Sequence, residues 1–193
     1  MDKKATMSEQ TKQKLKDAFL ELYANNGMLS ITVGAVTKKA GYNRSTFYNH
    51  YDDLHSMLEE IESTVIEQVQ IKMSGIFSNG IPEDISSVFP LALSAFEEYS
   101  NTLYALLGAN GDAAFRQKLR KTVKERFLKM LQGHIDVEQL EYILTFIISA
   151  GLGLIEHWYE TDKKYSTEDF LKLSHALLAN GVLGKLSEYT ASS

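Results

Sequence analysis

Thr32-Val33-Gly34-Ala35-Val36-Thr37-Lys38-Lys39-Ala40-Gly41-Tyr42-Asn43-Arg44-Ser45-Thr46-Phe47-Tyr48-Asn49-His50-Tyr51 is the stretch that decides the fold. It reads as a pair of short helices joined by a tight turn. Thr32 is a good N-cap for the first, expected over 33–40, because its hydroxyl can accept from a free N–H of the first turn. Val33, Val36 and Ala40 share one face. Gly34 inside that helix costs about 1 kcal/mol relative to alanine, so it calls for a local reason. Gly41-Tyr42-Asn43 makes the turn, and Asn43 caps the second helix, expected over 44–51. The unit is a helix-turn-helix.

The second helix sorts its side chains by face. Phe47 and Tyr51 are four apart, so both can point into the core of a three-helix unit. Ser45, Tyr48 and Asn49 then fall on the opposite face, flanked by Arg44, Thr46 and His50. No carboxylate occurs from Arg44 to His50. Arg, Asn, Ser and Thr are side chains that hydrogen-bond base edges and phosphates, so this surface matches a DNA groove. The helix N-terminus adds partial positive charge. Lys38 and Lys39, with Lys12 and Lys16 on one face of the preceding helix, are candidates for further phosphate contacts.

Outward from this unit the pattern is helical throughout, and the expected fold class is all-α. A helix over 8–26 carries Leu15, Ala18, Phe19, Leu22 and Tyr23 in one stripe, with Ser8 as a possible cap and Asn25-Asn26-Gly27 as a stop. Longer helices are expected near 53–78, 86–108 with a break near Ser100-Asn101, 112–132, 137–160 and 167–187. Breaks fall at Asn79–Pro82, Gly108–Gly111, Gly133 and Thr161–Lys163. No alternating apolar pattern argues for a strand. The division is a helix-turn-helix domain over 1–52 and a helical bundle regulatory domain over 53–193.

Composition bounds the function. The 193 residues are 44% hydrophobic and 23% charged, with net charge −5. That length gives one to two domains with a core that needs no staple. The absence of cysteine excludes a disulfide scaffold, a cysteine zinc site, an iron–sulfur cluster and a thiol nucleophile. The first six residues show no secretory pattern. The apolar run Tyr142–Ile155 is interrupted and shorter than the roughly 18 residues of a membrane span, so a soluble cytoplasmic protein without membrane contact is expected. Residues 1–50 hold eight Lys/Arg and four Asp/Glu, and residues 51–193 hold twelve and twenty-one. A basic head on an acidic body suits an anionic partner at the head.

The segment from Thr32 to Tyr51 resembles the DNA-binding signature of the TetR family of transcriptional regulators. A Thr-Val start leads through a small–Gly turn to a Thr-Phe-Tyr-x-His-aromatic recognition helix. The resemblance covers residues 8–60. Beyond residue 60 it is one of helical architecture, and Leu103–Leu131 looks like a regulatory-domain subtype that includes activators of dihydroxyacetone metabolism. The family resemblance implies that Thr32 binds a phosphate. It implies that Asn43, Arg44, Ser45 and Thr46 meet DNA, and that Tyr48 and His50, beside Asn49, contact phosphates or bases. It also implies a homodimer on a double-stranded palindromic operator, released by a small effector, with repression the commoner mode and activation the alternative.

The sequence departs from the family pattern in two places. Asp52-Asp53-Leu54 stands where a phosphate-contacting lysine is common. Gly34-Ala35 stands where polar residues are usual, which weakens base readout from the first helix. These departures support a second class of reading, a helical ligand carrier or protein-interaction module without DNA binding.

In the family the last two long helices pair with those of a second subunit, a role that 137–160 and 167–187 fit. Ser149 and Gly153, four apart with Ala150 and Gly151 beside them, permit close helix approach, and His157 is assigned with them to a dimer interface. Gly151-Leu152-Gly153 only partly imitates a dinucleotide fingerprint: it lacks the third glycine and a preceding strand. Arg116, Lys118, Arg120, Lys121, Lys124, Arg126 and Lys129 form a basic run that is either a solvated face or a second anion site. No histidine pair has zinc spacing and no nucleophile motif occurs, so no enzyme, metal or cofactor is expected. In the family some body aromatics line an effector pocket. Phe96, Tyr99, Tyr142 and Phe146 are the first candidates.

Overall fold

The computed structural model describes residues 3–76, 99–131, 136–177 and 181. The helices are α1 (Lys3–Asn26), α2 (Val33–Ala40), α3 (Arg44–Tyr48), α4 (Leu54–Ile76), α5 (Ser100–Leu107), α6 (Ala113–Leu131) and α7 (Val137–Glu160), with a 3-10 turn at Met28–Ser30. A further helix, α8, covers 167–177. No strand occurs among the described residues. The fold is all-α, as the periodicity implies. The expected break at Asn79–Pro82, the segment 86–98 with Phe96, and the end of the last helix lie outside the described residues.

Two boundaries differ from the sequence reading. α1 starts at Lys3, not near Ser8. Ser8 therefore lies inside the helix rather than at its cap, and one turn on the Thr11 hydroxyl donates back to the Met7 carbonyl. α3 ends at Tyr48 rather than at 51. There the His50 N–H donates to Phe47 O at 2.9 Å, an i→i−3 bond that tightens the last turn and releases the chain. Tyr51 still reaches the core and is 5% exposed.

The head is built from α1, α2, α3 and the start of α4. Leu15, Phe19, Val36, Phe47 and Met57 are fully buried at its centre. The apolar cluster continues along α4 through Ile61, Val65 and Val69, and into the body through Leu106, Phe115, Leu140 and Leu144. α4 is therefore the shared spine of head and body. It begins with a reciprocal cap: Ser56 N donates to Asp53 Oδ1 at 2.8 Å, and Asp53 N donates to Ser56 Oγ at 3.1 Å. The backbone hydrogen bond from Ser56 holds the Asp53 carboxyl below its ordinary pKa.

One carboxylate ties the head together. Glu60 of α4 receives Lys12 Nζ at 3.1 Å and Lys16 Nζ at 2.8 Å, both from α1. The Tyr51 hydroxyl, just beyond α3, donates to the same carboxylate at 3.3 Å. Burial opposes ionisation of Glu60, but the hydrogen bonds and charges of Lys16 and Lys12 together outweigh it and hold its pKa below the ordinary value. Burial and then the Glu60 charge push the Tyr51 phenol well above its ordinary value.

A carboxylate with a depressed pKa stabilises the fold above its unfolded value, and that contribution disappears as falling pH protonates it. Glu60→Gln should therefore be less stable than the wild type near neutral pH. The gap should close as pH falls to roughly 3, below the ordinary carboxylate range. Urea titrations at both pH values read this directly. A pH-independent gap would mean that the lysines contribute only through packing. Phe47→Ala should lose about 3–5 kcal/mol, the cost of emptying a fully buried aromatic site.

Candidate nucleic-acid interface

The five-residue α3 is positioned by its one inward side chain. Phe47 is fully buried, packed edge-on to Tyr48 at 5.5 Å and tilted against Tyr51 at 5.6 Å between ring centroids. With Phe47 fixed, Arg44, Ser45, Tyr48 and Asn49 are exposed, while Thr46 and His50 are half-buried beside them. Tyr48 is 57% exposed, a large aromatic surface to leave in water on so small a helix. The outward face is the acid-free one that the sequence predicts.

The start of α3 is locally organised. Asn43 Oδ1 accepts from Thr46 N at 2.9 Å, Thr46 Oγ1 at 2.9 Å and Ser45 Oγ at 2.6 Å. Both hydroxyl protons therefore point at Asn43. A phosphate oxygen only accepts, so Ser45 or Thr46 must let go of Asn43 before donating to one. The Asn43 amide nitrogen remains available as a donor. Asn43 is thus first a cap and a positioner of its neighbours. Thr32 caps α2 in the same way, its Oγ1 accepting from Ala35 N at 3.2 Å. α2 ends at Gly41, whose φ of 76° is left-handed and suits glycine.

Gly34 now has its reason. A Cβ there would stand 2.8 Å from Arg44 Nη2 and 3.3 Å from Nε. The guanidinium of Arg44 lies over the α2 backbone in the space a side chain would fill. Gly34 thereby joins the two helices of the motif, a link that reading each helix separately misses.

The basic residues divide. Lys38 is exposed at the C-terminal end of α2. Lys39 pairs with Glu21 of α1. Lys12 and Lys16, expected as phosphate contacts, instead turn to Glu60, because α4 places that carboxylate between them. Asp53, which by charge alone would repel DNA, is occupied as the α4 cap. Asp52 is exposed.

The body candidates also divide. Ser149, Gly153 and His157 are exposed along one face of α7. Tyr142 and Phe146 are not in an interior pocket: they are 73% and 68% exposed and continue the same stripe. The reason is helical phase. Leu140, Leu144, Ile148 and Leu152 take the buried side of α7, and a residue two positions on points roughly opposite. Tyr99 is half-buried, with Lys72 Nζ 5.7 Å from its ring centroid. Among the described residues no group of His, Cys, Asp and Glu has metal-binding geometry.

Comparison with known proteins adds a family. A family model named TetR_C_8, described as a transcriptional regulator C-terminal region, matches residues 83–180. A TetR transcriptional regulator from Streptococcus agalactiae 2603V is 23% identical with a TM-score of 0.57, over 90% of this chain and 96% of that one. The fatty acid degradation regulator FadR from Bacillus halodurans is 17% identical with a TM-score of 0.68, over 89% and 96%. A transcriptional regulator of the TetR/AcrR family from Aquifex aeolicus VF5 is 18% identical with a TM-score of 0.65, over 87% and 97%. At these identities the structural likeness is one of fold.

Gly34→Ala separates the two roles of that glycine. The helix should gain up to about 1 kcal/mol, so the thermal midpoint should hold or rise. The added methyl displaces the Arg44 guanidinium. Affinity for duplex DNA should then fall about tenfold, the scale of one misplaced arginine contact. Circular dichroism melts and fluorescence anisotropy on the same samples test both halves. A variant with unchanged affinity would remove Arg44 from the interface.

Proposed function

Because the chain belongs to the TetR family of transcriptional regulators, we propose that it is a homodimeric, one-component repressor. Its α3 helices enter successive major grooves of a palindromic operator, and a small effector bound in the body releases it. The family binds DNA and typically works as dimers. For this chain the observation that carries the reading is the outward face of α3, free of carboxylates and fixed by the buried Phe47. Arg44, Tyr48, Asn49 and His50 are its reading and phosphate-contacting side chains, with Ser45, Thr46, Thr32, Asn43 and Lys38 around them.

Two recognition helices in successive major grooves stand about 34–36 Å apart. An effector that changes this spacing stops both heads docking at once, a coupling of typically about 1–3 kcal/mol. The head over 1–52 supplies the contact, and the body over 53–193 supplies dimerisation and the effector response. Membership of a family of transcriptional regulators supports a cytoplasmic, non-catalytic role.

The α7 stripe supports the dimer. Among the described residues a Cβ at Gly153 would meet nothing within 4 Å, so their packing does not call for the glycine. A helix of a second copy packed against Ser149, Gly153 and His157 does explain it. α7 is also long and apolar enough to cross a membrane, with mean hydropathy 1.3. Its exposed positions include Glu138, Glu141, His157 and Glu160, which fit a protein partner better than lipid.

The test of DNA binding uses a fluorescein-labelled duplex of the intergenic DNA upstream of the gene. With Lys38 and Arg44 of each copy on phosphates, binding should fall by about a hundredfold between roughly 50 and 200 mM salt. Tyr48→Ala combined with His50→Ala should abolish it while helical content and the dimer persist. Flow-through on heparin at low salt, with no duplex binding, would favour the carrier reading that the inward-turned Lys12 and Lys16 support. For the dimer, Gly153→Glu places its Cβ in open space among the described residues. It should sediment as a folded monomer, and a variant that stays dimeric would place the interface elsewhere.

A further inference from the structure

The basic run of α6 is left unused by this reading. From Arg116 to Lys129 the chain carries seven cationic side chains and one acid, Glu125. Part of the charge is locally matched: Lys121 lies 3.8 Å from Glu125, and Lys124 lies 3.6 Å from Glu141 of α7. Arg116 donates to the Gly108 carbonyl. Arg126 and Lys129 have no carboxylate partner within 4.0 Å among the described residues.

These two cations stand on one wall of a cavity of about 420 Å³ between α4 and α6. Gln70, Ile71 and Ser74 of α4 face Thr122, Arg126 and Lys129 of α6 across it. Arg126 Nη2 donates to Ser74 Oγ at 2.7 Å, so the guanidinium is held across the groove by one of its five N–H donors. Ile71 is 54% exposed and gives the groove an apolar patch. The volume is that of a small-ligand site, but the groove is open to solvent and six of its seven described lining residues are polar or charged, which suits a charged head group. Glu125 also lines the cavity, its carboxylate near Lys121.

We propose that this groove binds a small organic anion with a single carboxylate or phosphate head. Arg126 and Lys129 take the oxyanion, the Thr122 hydroxyl donates to it, and a short apolar stem lies on Ile71; Ser74, whose own proton goes to the Gln70 carbonyl at 2.7 Å, holds the guanidinium in place. Guanidinium and ammonium together suit an oxyanion because their hydrogen bonds to it are charge-assisted. Glu125 disfavours a second negative group on the ligand. The site names a chemical class for the effector, and it rests on the proposed function only for its consequence on DNA.

Calorimetric titration of the full chain with hexanoate, phenyl phosphate and neutral hexanol tests this. At least one anion should bind saturably and hexanol should not. The anion that binds identifies the head group. Arg126→Gln with Lys129→Gln should weaken that binding at least about tenfold, since each charged hydrogen bond contributes on this scale. Lys164→Gln, a cation change outside the groove, should leave it unchanged. Ile71→Trp fills the groove while keeping both cations and should give the same loss. Absence of saturable binding by both anions, or equal binding in the double variant, overturns the site. So does loss of duplex affinity in the double variant with anion binding intact, which would assign the face to nucleic acid. Duplex binding of the wild type, measured in parallel, reports on the DNA reading independently: its presence without anion binding sinks only the groove.

Discussion

A helix of five residues has no stability of its own, because nucleation outweighs the few hydrogen bonds it can close. α3 exists because Phe47 is buried on one side of it and Asn43 caps its start. Everything exposed on α3 is therefore dictated by a single anchored ring. Rotation of the helix about its axis would expose Phe47, which is unfavourable on the scale of a whole aromatic side chain. Tyr51 adds the second restraint, since its ring is in the core and its hydroxyl is on Glu60. The direction of the outward face is thus a consequence of core packing.

Glu60 shows how charge is used in the head. The chain has a basic first fifty residues, yet three of those lysines are matched by carboxylates of other helices of the head: Lys12 and Lys16 on Glu60, and Lys39 on Glu21 in an exposed pair. What remains outward at α3 is hydrogen-bonding capacity more than net charge. Such a surface depends on fit for its affinity. The placement of Arg44 over Gly34 therefore carries more weight here than it would on a lysine-rich head.

Much of this was legible in the sequence, for reasons that are local. The caps at Thr32 and Asn43, the turn at Gly41 and the inward pair Phe47 and Tyr51 all follow from backbone chemistry within a few residues, and the structure shows each of them. The break near Ser100 and the helices over 113–131 and 137–160 follow from apolar period and punctuation. The misses are all non-local. Glu60 lies 48 residues from Lys12 in the chain, so no window contains both. The phase of α7 depended on which side the rest of the body occupies. An aromatic-rich helix offers two apolar stripes, and periodicity does not say which faces in. Leu140, Leu144 and Ile148 won, and Tyr142 and Phe146 went outward.

The same contrast between local and non-local bonds distinguishes the head from the joint that links it to the body. Within the head the core is continuous and its central carboxylate is matched by lysines. At the joint, Asn110 donates to the Ala24 carbonyl at the end of α1, at 2.8 Å. Close by, burial and then the charge of Asp112 push the Glu62 carboxyl above its ordinary pKa. Burial and the same acids raise the Tyr23 phenol. Glu62 Oε1 is buried with no hydrogen-bond partner among the described residues. Two like charges and an unsatisfied oxygen oppose the contact that Asn110 makes. The head is joined to the body through α4 and the continuous apolar core, and at this polar contact Lys118 and Arg116 offset the acids only in part. In the proposed release by an effector, displacement of the head would meet its weakest opposition at this contact, and the outward face of α3 would keep its own geometry.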